Sequence, residues 1–570
     1  MPFPAIFLHL KRSPLATAAL HVVLLGASLY GYTLLIEHLG GFATYQMAQQ
    51  VLEFGLVLYL YALFFRLQRP WRGRSVLAAL PLLGLYLVHD LFYLVYGKVF
   101  RLINISEFPE LLQVLPLVYS ILLLALLLLL LGLFVLKLEY RGFGRHLLWL
   151  SPLLLLLVAV KATPDAFANG FEQLADVVRY SDGKSVESNG RLSMLLYHEA
   201  ERSSALQRLG PFHDRAAYEQ QAAALRDALA LHSNQRNVHL IVLESFLDPR
   251  LFTRLRYSSS PIHPSFDALF TDRLGLAISP MFGGSTAQAE FEVLCGVPAF
   301  ERLSSVEFNL FSGAAAHCLP GTLKALGYRS VATNTYKPDF FNAMPAYQGM
   351  GFSESHFPLE YAPTQQSYLR AGDPGVEDYL FDAPLFDQNL AYVREHIQRY
   401  PEQPLFNYVL TIYGHTPHLL NPELRPERIT LDSDYADDHL SRAVNQLYYR
   451  TEAIADYANA LLASDPDSLI IFISDHLPPL RNGPNTYNAL GYLENRDNSY
   501  YYNRIAILEK GQAKLYPVIY HYELPTLILD YLTDGAYCQQ QPCAHRESAQ
   551  RMTKDDYMER YMRLMAHAAE

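Results

Sequence analysis

Five apolar runs fill most of the first ~165 residues, at roughly 14–36, 51–66, 75–97, 114–138 and 146–163. A helix needs about 20 apolar residues to cross a bilayer, where every backbone polar group must be paired within the segment. The second run is short and needs its flanks to complete a span; the fourth, around Ser120-Ile121-Leu122-Leu123-Leu124, is apolar throughout. The sequence therefore predicts an N-terminal α-helical transmembrane bundle of five spans. A cleavable signal peptide is disfavoured, because further spans follow the first run instead of a cleavage site and a soluble chain.

Basic residues gather on alternate connections. Lys11 and Arg12 precede the first run, Arg66, Arg69, Arg72 and Arg74 lie between the second and third, and Lys137, Arg141 and Arg145 lie between the fourth and fifth. The other connections hold only Lys98 and Arg101. Positive charge marks the cytoplasmic side. The expected topology is a multi-pass protein of the cell's inner or plasma membrane with a cytoplasmic N-terminus. Everything beyond residue ~165 then lies outside the cytoplasm, in the periplasm or the extracellular space. His89 and Asp90 sit inside the third run. Ionisable groups there face a bundle interior or a headgroup, and no second such cluster stands in the sequence to build a transport relay.

The rest of the chain reads as globular protein in four parts: the transmembrane domain 1–165, a juxtamembrane helical linker 166–235, an exported catalytic domain 236–534 and a polar C-terminal tail 535–570. A net charge of −11 with no sustained basic stripe excludes nucleic acid as the main partner. Forty Tyr and 31 Phe fit an aromatic-rich core before they fit a carbohydrate- or lipid-facing surface. Cys295, Cys318, Cys538 and Cys543 all fall in the exported part, where an even number permits two disulfides. Cys538 and Cys543 close a short loop, which leaves Cys295 for Cys318.

From ~236 short β-type runs alternate with helical segments, the pattern of a parallel sheet flanked by helices. Strands are expected at 238–243, 328–333, 405–412 and 468–473, with a helix at 320–326 stopping at Gly327. Ligands in such sheets gather at the carboxyl ends of the strands. There the sequence delivers Glu244 after the first run, His415 after the third and the Asp475-His476 pair after the fourth. One more segment stands out: Gly283-Gly284-Ser285-Thr286-Ala287-Gln288-Ala289-Glu290-Phe291. Ser285 to Gln288 fits a capping box, with Ser285 as N-cap and Gln288 reaching back. The same helix N-terminus also suits an anion, and Thr286 there suits a nucleophile activated by a divalent metal. The segment by itself leaves cap and nucleophile equally open. His418 and His232 carry no partner pattern and read as surface residues.

Taken together, Leu243-Glu244-Ser245-Phe246, Ser285-Thr286-x-x-Ala289-Glu290-Phe291, Gly414-His415-Thr416-Pro417 and Ser474-Asp475-His476 resemble the lipoteichoic acid synthase-type phosphoglycerol transferases of the alkaline phosphatase/sulfatase superfamily. The resemblance implies a C-terminal α/β domain of sulfatase/alkaline-phosphatase type with a mainly parallel central sheet. It implies one metal, manganese before magnesium or zinc, held by Glu244, Thr286, Asp475 and His476. Thr286 would be the nucleophile, and His415 would act as a catalytic and substrate-binding residue on the phosphate or glycerol. Asn342, in Phe340-Phe341-Asn342-Ala343-Met344, falls in the family's phosphate-gripping segment. Two departures concern the headgroup: Ala343 stands where those enzymes carry Arg, and Ala287-Gln288 where they carry Ser-Asp.

The implied partners are a phospholipid donor in the membrane and an envelope glycan or a glycerophosphate as acceptor. Phosphoethanolamine transfer and phosphodiester hydrolysis are the rival chemistries. A non-catalytic membrane receptor would be expected to lose at least one of the four metal-site residues. A sulfatase with a formylglycine nucleophile needs C/S-x-P-x-R, and Cys318-Leu319-Pro320-Gly321-Thr322 ends in Thr.

Overall fold

The computed structural model describes residues 14–42, 51–71, 73–96, 99–107, 117–140, 143–177, 182–270, 272–304, 306–432, 435, 437–546 and 552–570. Of the charges behind the predicted orientation, Lys11, Arg12, Arg72, Lys98 and Arg141 lie outside the described residues, as does the start of the fourth apolar run. The chain divides into two compact units, Met1–Arg208 and Leu209–Glu570.

In the first unit each apolar run contains a helix: Pro14–His38, Val51–Leu67, Arg74–Tyr96, Leu117–Leu136 and Phe143–Ala162. Among the described residues, Arg74–Leu94 is long and apolar enough to cross a membrane on its own. His146–Ala162 with Pro164–Leu174 makes one further candidate, bent by 110°. Asp90 is fully buried and accepts from Arg191 Nε at 2.7 Å and from the Tyr32 hydroxyl at 2.8 Å. The expectation that His89 and Asp90 stand alone needs correction. Glu53, from the second run, is buried within the same group of residues and accepts from the amides of Leu192 and Ser193 and from the Tyr86 hydroxyl. The helix Arg191–Gln207 is thereby fixed at its start, where four free N–H groups favour a carboxylate.

The second unit is built on a nine-stranded sheet with a separate two-stranded ribbon. Its strands are β1 (Val238–Leu243), β2 (Arg256–Tyr257), β3 (Gly275–Ile278), β4 (Arg329–Asn334), β5 (Glu354–His356), β6 (Leu405–Leu410), β7 (Leu431–Asp432), β8 (Leu469–Ser474), β9 (Tyr502–Glu509), β10 (Gln512–Lys514) and β11 (Ile519–Tyr520). The order is β11-β3-β9-β8-β1-β6-β4-β5, with β10 on β9, and β2 pairs β7 apart from it. Pairing is parallel from β8 to β5, while β9 runs antiparallel to both β8 and β3. The central strands read Val-His-Leu-Ile-Val-Leu, Leu-Phe-Asn-Tyr-Val-Leu and Leu-Ile-Ile-Phe-Ile-Ser, and every residue in them is buried. Near-continuous apolar runs of this kind fit a sheet covered by helices on both faces. One face packs on the helices Asp382–Arg399 and Asp438–Ser464, through Leu385, Phe386, Val393, Leu447, Ile454 and Leu461.

The C-terminal stretch that reads as a polar tail ends in a helix, Lys554–Ala568, opened by a capping box between Thr553 and Asp556. It docks on the domain: Tyr561 is buried, and its hydroxyl donates to Glu307 Oε1 at 3.1 Å.

Candidate active site and metal centre

The strands β8, β1 and β6 lie side by side and parallel, so their carboxyl ends share one edge of the sheet. Glu244 follows β1, Asp475 and His476 follow β8, and the segment carrying His415 follows β6. Glu244, Asp475 and His476 are each at most 2% exposed, and one ligand atom from each lies within 4.8 Å of the others.

The orientation of each group is fixed by its neighbours. Asp475 Oδ1 accepts from the backbone amides of Ser245 at 2.7 Å and His476 at 2.6 Å. Its Oδ2 is buried without a hydrogen-bond partner and lies 3.2 Å from His476 Nε2. His476 Nδ1 lies 3.0 Å from the Leu477 carbonyl oxygen, which can only accept. Nδ1 therefore carries the proton and Nε2 presents its lone pair to the cluster. Glu244 Oε1 accepts from the Ser245 hydroxyl at 2.8 Å, and Glu244 Oε2 accepts from the Thr286 hydroxyl at 3.1 Å. Thr286 Oγ1 also lies 3.4 Å from His476 Nε2.

The capping box expected at Ser285 does not form. Ser285 adopts a left-handed conformation (φ 56°, ψ 48°) with no side-chain cap, and Thr286 opens the helix Thr286–Cys295. Gln288 is fully buried and accepts from the Glu307 amide at 3.0 Å instead of reaching back. Left-handed residues are costly outside glycine, and here the turn Gly283-Gly284-Ser285 brings the Thr286 hydroxyl to the carboxylate of Glu244.

The donor set fits a hard divalent cation. Burial and then the facing Glu244 push the Asp475 carboxyl well above its ordinary range. Burial acts the same way on Glu244, but positive charge on the rings of His476 and His415 when they are protonated, with the Ser245 hydroxyl, outweighs it and holds Glu244 low. Two buried carboxylates side by side otherwise share a proton. A cation would keep both ionised and satisfy Asp475 Oδ2, which has no hydrogen-bond partner.

Arg450 supports this edge from beneath and carries no motif. It is 2% exposed, donates from Nη1 to the Glu244 carbonyl at 2.8 Å and pairs through Nε with Asp382 Oδ2 at 2.7 Å. The signal for it was periodicity: Leu447, Arg450, Ile454 and Leu461 lie on one buried stripe of the helix, so a charge there demands a partner. Gly414 explains the glycine before His415. A Cβ there would sit 2.0 Å from the Glu244 carbonyl oxygen and 2.3 Å from Arg450 Nη1.

The other sequence candidates fall as follows. His415 is half-buried, with Nδ1 2.8 Å from the Thr416 carbonyl oxygen and its ring 5.1 Å from Tyr379. Asn342 does not reach the cluster through its amide nitrogen, which donates to the carbonyls of Phe308 at 2.7 Å and Phe311 at 2.8 Å. Ala343 is buried. His418 is not a surface residue: it is 1% exposed, and burial, followed by His439 and His415, pushes it down to about 3. His232 is exposed. His521 gave no sequence signal, yet it is fully buried, neither ring nitrogen has a hydrogen-bond partner, and burial and His476 hold it near 3. Cys295 bonds Cys318, and Cys538 bonds Cys543. Cys318 is thereby excluded as a formylglycine precursor.

A Rhizobium meliloti (strain 1021) protein provisionally named a cyclic beta-1,2-glucan modification protein is 25% identical over 269 residues, 46% of this chain and 38% of that protein. An uncharacterised Haemophilus influenzae (strain ATCC 51907 / DSM 11121 / KW20 / Rd) protein is 27% identical over 212 residues, 36% of this chain and 37% of that protein. The matches thus span little more than a third of these curated relatives. Among solved structures, the Streptococcus pyogenes phosphoglycerol transferase GacH in complex with sn-glycerol-1-phosphate is similar at 18% identity and a TM-score of 0.46. That likeness covers 61% of this chain and 91% of that one. The family profile described as Sulfatase matches residues 236–533, just over half of the chain, and takes in the whole sheet together with Glu244, Thr286, Asp475 and His476. The chain belongs to the sulfatase family.

Proposed function

We propose that this chain is a membrane-anchored, metal-dependent phosphotransferase that moves a phospholipid headgroup to an extracytoplasmic glycan or glycerophosphate. The observation that carries the reading is Thr286. It opens a buried helix, and its hydroxyl lies within hydrogen-bond reach of Glu244 Oε2. Thr286 Oγ1 passes its proton to Glu244 Oε2, to which it donates at 3.1 Å, and attacks the donor phosphorus; the P–O bond to diacylglycerol breaks, the headgroup phosphate is left on Thr286, and the proton returns to Oγ1 when Thr286 is later displaced. The free N–H groups at the start of the Thr286–Cys295 helix favour the phosphoryl anion. His415, at the same edge, gives a proton to the departing diacylglycerol oxygen and later takes one from the acceptor hydroxyl. That hydroxyl then displaces Thr286 and carries the headgroup away. A divalent ion on Glu244, Thr286, Asp475 and His476, manganese before magnesium or zinc, would supply charge neutralisation at the phosphoryl oxygens.

Five spans across 1–165, a linker at 166–235 and a catalytic domain at 236–534 would keep this site beside its lipid outside the cytoplasm. Phosphoglycerol is the favoured headgroup, because the motif set follows that branch. Ala343 removes the Arg fork that would grip the phosphate, so His415 and neighbouring loops must hold it. The name of the Rhizobium relative is in line with a glycan acceptor.

The test offers purified full-length protein labelled phosphatidylglycerol and phosphatidylethanolamine separately, and follows diacylglycerol release and the intact mass of the protein. Release from phosphatidylglycerol with a phosphoglycerol adduct on Thr286, both lost in Thr286→Ala, is expected. Release from phosphatidylethanolamine alone would change the headgroup. Turnover that survives Thr286→Ala would remove the mechanism.

A further inference from the structure

Five aromatic side chains near the cluster belong to neither hydrophobic core packed on the sheet. Ring centroids lie 4.9 Å apart for Tyr336 and Phe340, 5.8 Å for Tyr336 and Tyr361 and 4.6 Å for Phe340 and Phe341. Tyr379 lies against His415, and all five rings are half-buried. The group grows from the edge that bears the site. Tyr336 follows β4, the neighbour of β6, and its amide donates to Asn334 Oδ1 at 2.9 Å. Thr335 Oγ1 donates to the Leu410 carbonyl at the end of β6 at 3.0 Å. Burial raises the Tyr379 phenol, and Tyr336, Glu244 and Tyr361 add to the effect. That ring is thus within electrostatic reach of both the aromatic group and Glu244.

The backbone invests in this arrangement. Phe341 and Asn342 are both left-handed (φ 48° and 58°), and the two carbonyl bonds to the Asn342 amide hold them there. Backbone strain of this kind must be offset by the surrounding structure, and it clusters at binding sites. Three of the five rings are tyrosines, flat apolar faces with a polar tip. The segment Tyr336-Lys337-Pro338-Asp339-Phe340-Phe341 contains no Leu, Ile or Val, and Asp339 and Asp378 stand exposed beside the rings. A pyranose has a C–H face for a ring and a rim of hydroxyls for phenols and carboxylates. An acyl chain has only the first.

We propose that Tyr336, Phe340, Phe341, Tyr361 and Tyr379 form a stacking platform for the sugar rings of a neutral glycan, which presents its hydroxyl to the group carried on Thr286. The inference rests on the function proposed above and narrows its acceptor to a carbohydrate.

Isothermal titration of a neutral gluco-hexasaccharide into the full-length Thr286→Ala protein in detergent reads binding without turnover. The parent should bind. Tyr336→Ala with Tyr361→Ala should weaken binding about tenfold or more, the loss of two stacking contacts, while Tyr336→Phe with Tyr361→Phe should retain most of it. Should the alanine pair fail to fold, Tyr336→Leu, which keeps bulk without a ring, gives the same reading. No binding by the parent, or equal binding by the alanine pair, overturns the platform. So does an alanine pair that keeps the hexasaccharide but loses phosphatidylglycerol in nanodiscs, since the rings would then hold lipid. Failure of the phosphotransferase reading shows separately, as absence of the Thr286 adduct in the wild-type protein.

Discussion

Replacing Arg450 by Met separates the stability of the domain from the geometry of its site. The guanidinium is 2% exposed and pairs with Asp382, which is itself fully buried. Removing one partner of a buried pair strands the other charge and costs about 3–5 kcal/mol. Asp382 already sits above the usual carboxylate range through burial, with Arg450 opposing. Without Arg450 it takes up a proton more readily, which favours the lower figure. The unit Leu209–Glu570 holds about 360 residues. At an unfolding entropy of about 2.1 cal/mol/K per residue, the loss corresponds to a Tm lower by ~4–7 °C. Adding Asp382→Leu removes the stranded acid and should restore most of that Tm. It cannot restore the hydrogen bond from Arg450 Nη1 to the Glu244 carbonyl. Both variants should therefore release diacylglycerol about a hundredfold more slowly, the scale of a misplaced catalytic group. Calorimetry and lipid release are measured on the same preparations. Recovery of activity together with Tm in the double variant would refute the positioning role, and an unchanged Tm in Arg450→Met would refute the buried-pair argument.

Three further outcomes are expected. Glu290 and Glu307 are raised by burial from 4.5 to about 7. The folded protein thus holds protons that the unfolded chain releases near 4.5, and stability is full below that pH and falls as pH rises through about 7, by at most about 3 kcal/mol per group. Tm should drop between about pH 5 and about pH 8, and Glu290→Gln with Glu307→Gln should flatten the drop; an equal slope in the variant would assign it elsewhere. Elemental analysis should find a divalent ion that disappears in Glu244→Ala and in the double change Asp475→Ala with His476→Ala, and metal content indifferent to these changes would put the ligands at other residues. A reporter that fluoresces only in the cytoplasm, fused after Glu570, should stay dark, and a bright fusion would mean an even number of spans.

How much of this was legible in the sequence follows from the range of the forces involved. The strands β1, β6 and β8 were readable to within one or two residues because both their faces are buried and their residues are mostly apolar, and β4 because it follows a helix stopped at Gly327. The peripheral strands β3, β5, β9, β10 and β11 were not. They are short, partly exposed or set by an antiparallel neighbour, and their residues alternate too little to stand out. Glu244, Asp475 and His476 were legible as a group because two adjacent parallel strands, β1 and β8, deliver whatever follows them to one edge. Thr286 was legible only through the motif set, since its own segment equally allows a Ser285 capping box that the fold does not use. The two glycines before Ser285 permit a left-handed turn, and tertiary packing of Gln288 against Glu307 removes the residue that would have completed the box. Arg450 was marked only by the periodicity of its helix, and His521 was not marked at all. Each meets its site from another part of the chain, and a single sequence records the burial of Arg450 only as a polar residue among apolar neighbours. Glu244, Asp475 and His476 were thus marked by where strands end, and Arg450, which bonds the Glu244 carbonyl, by an apolar stripe interrupted by charge.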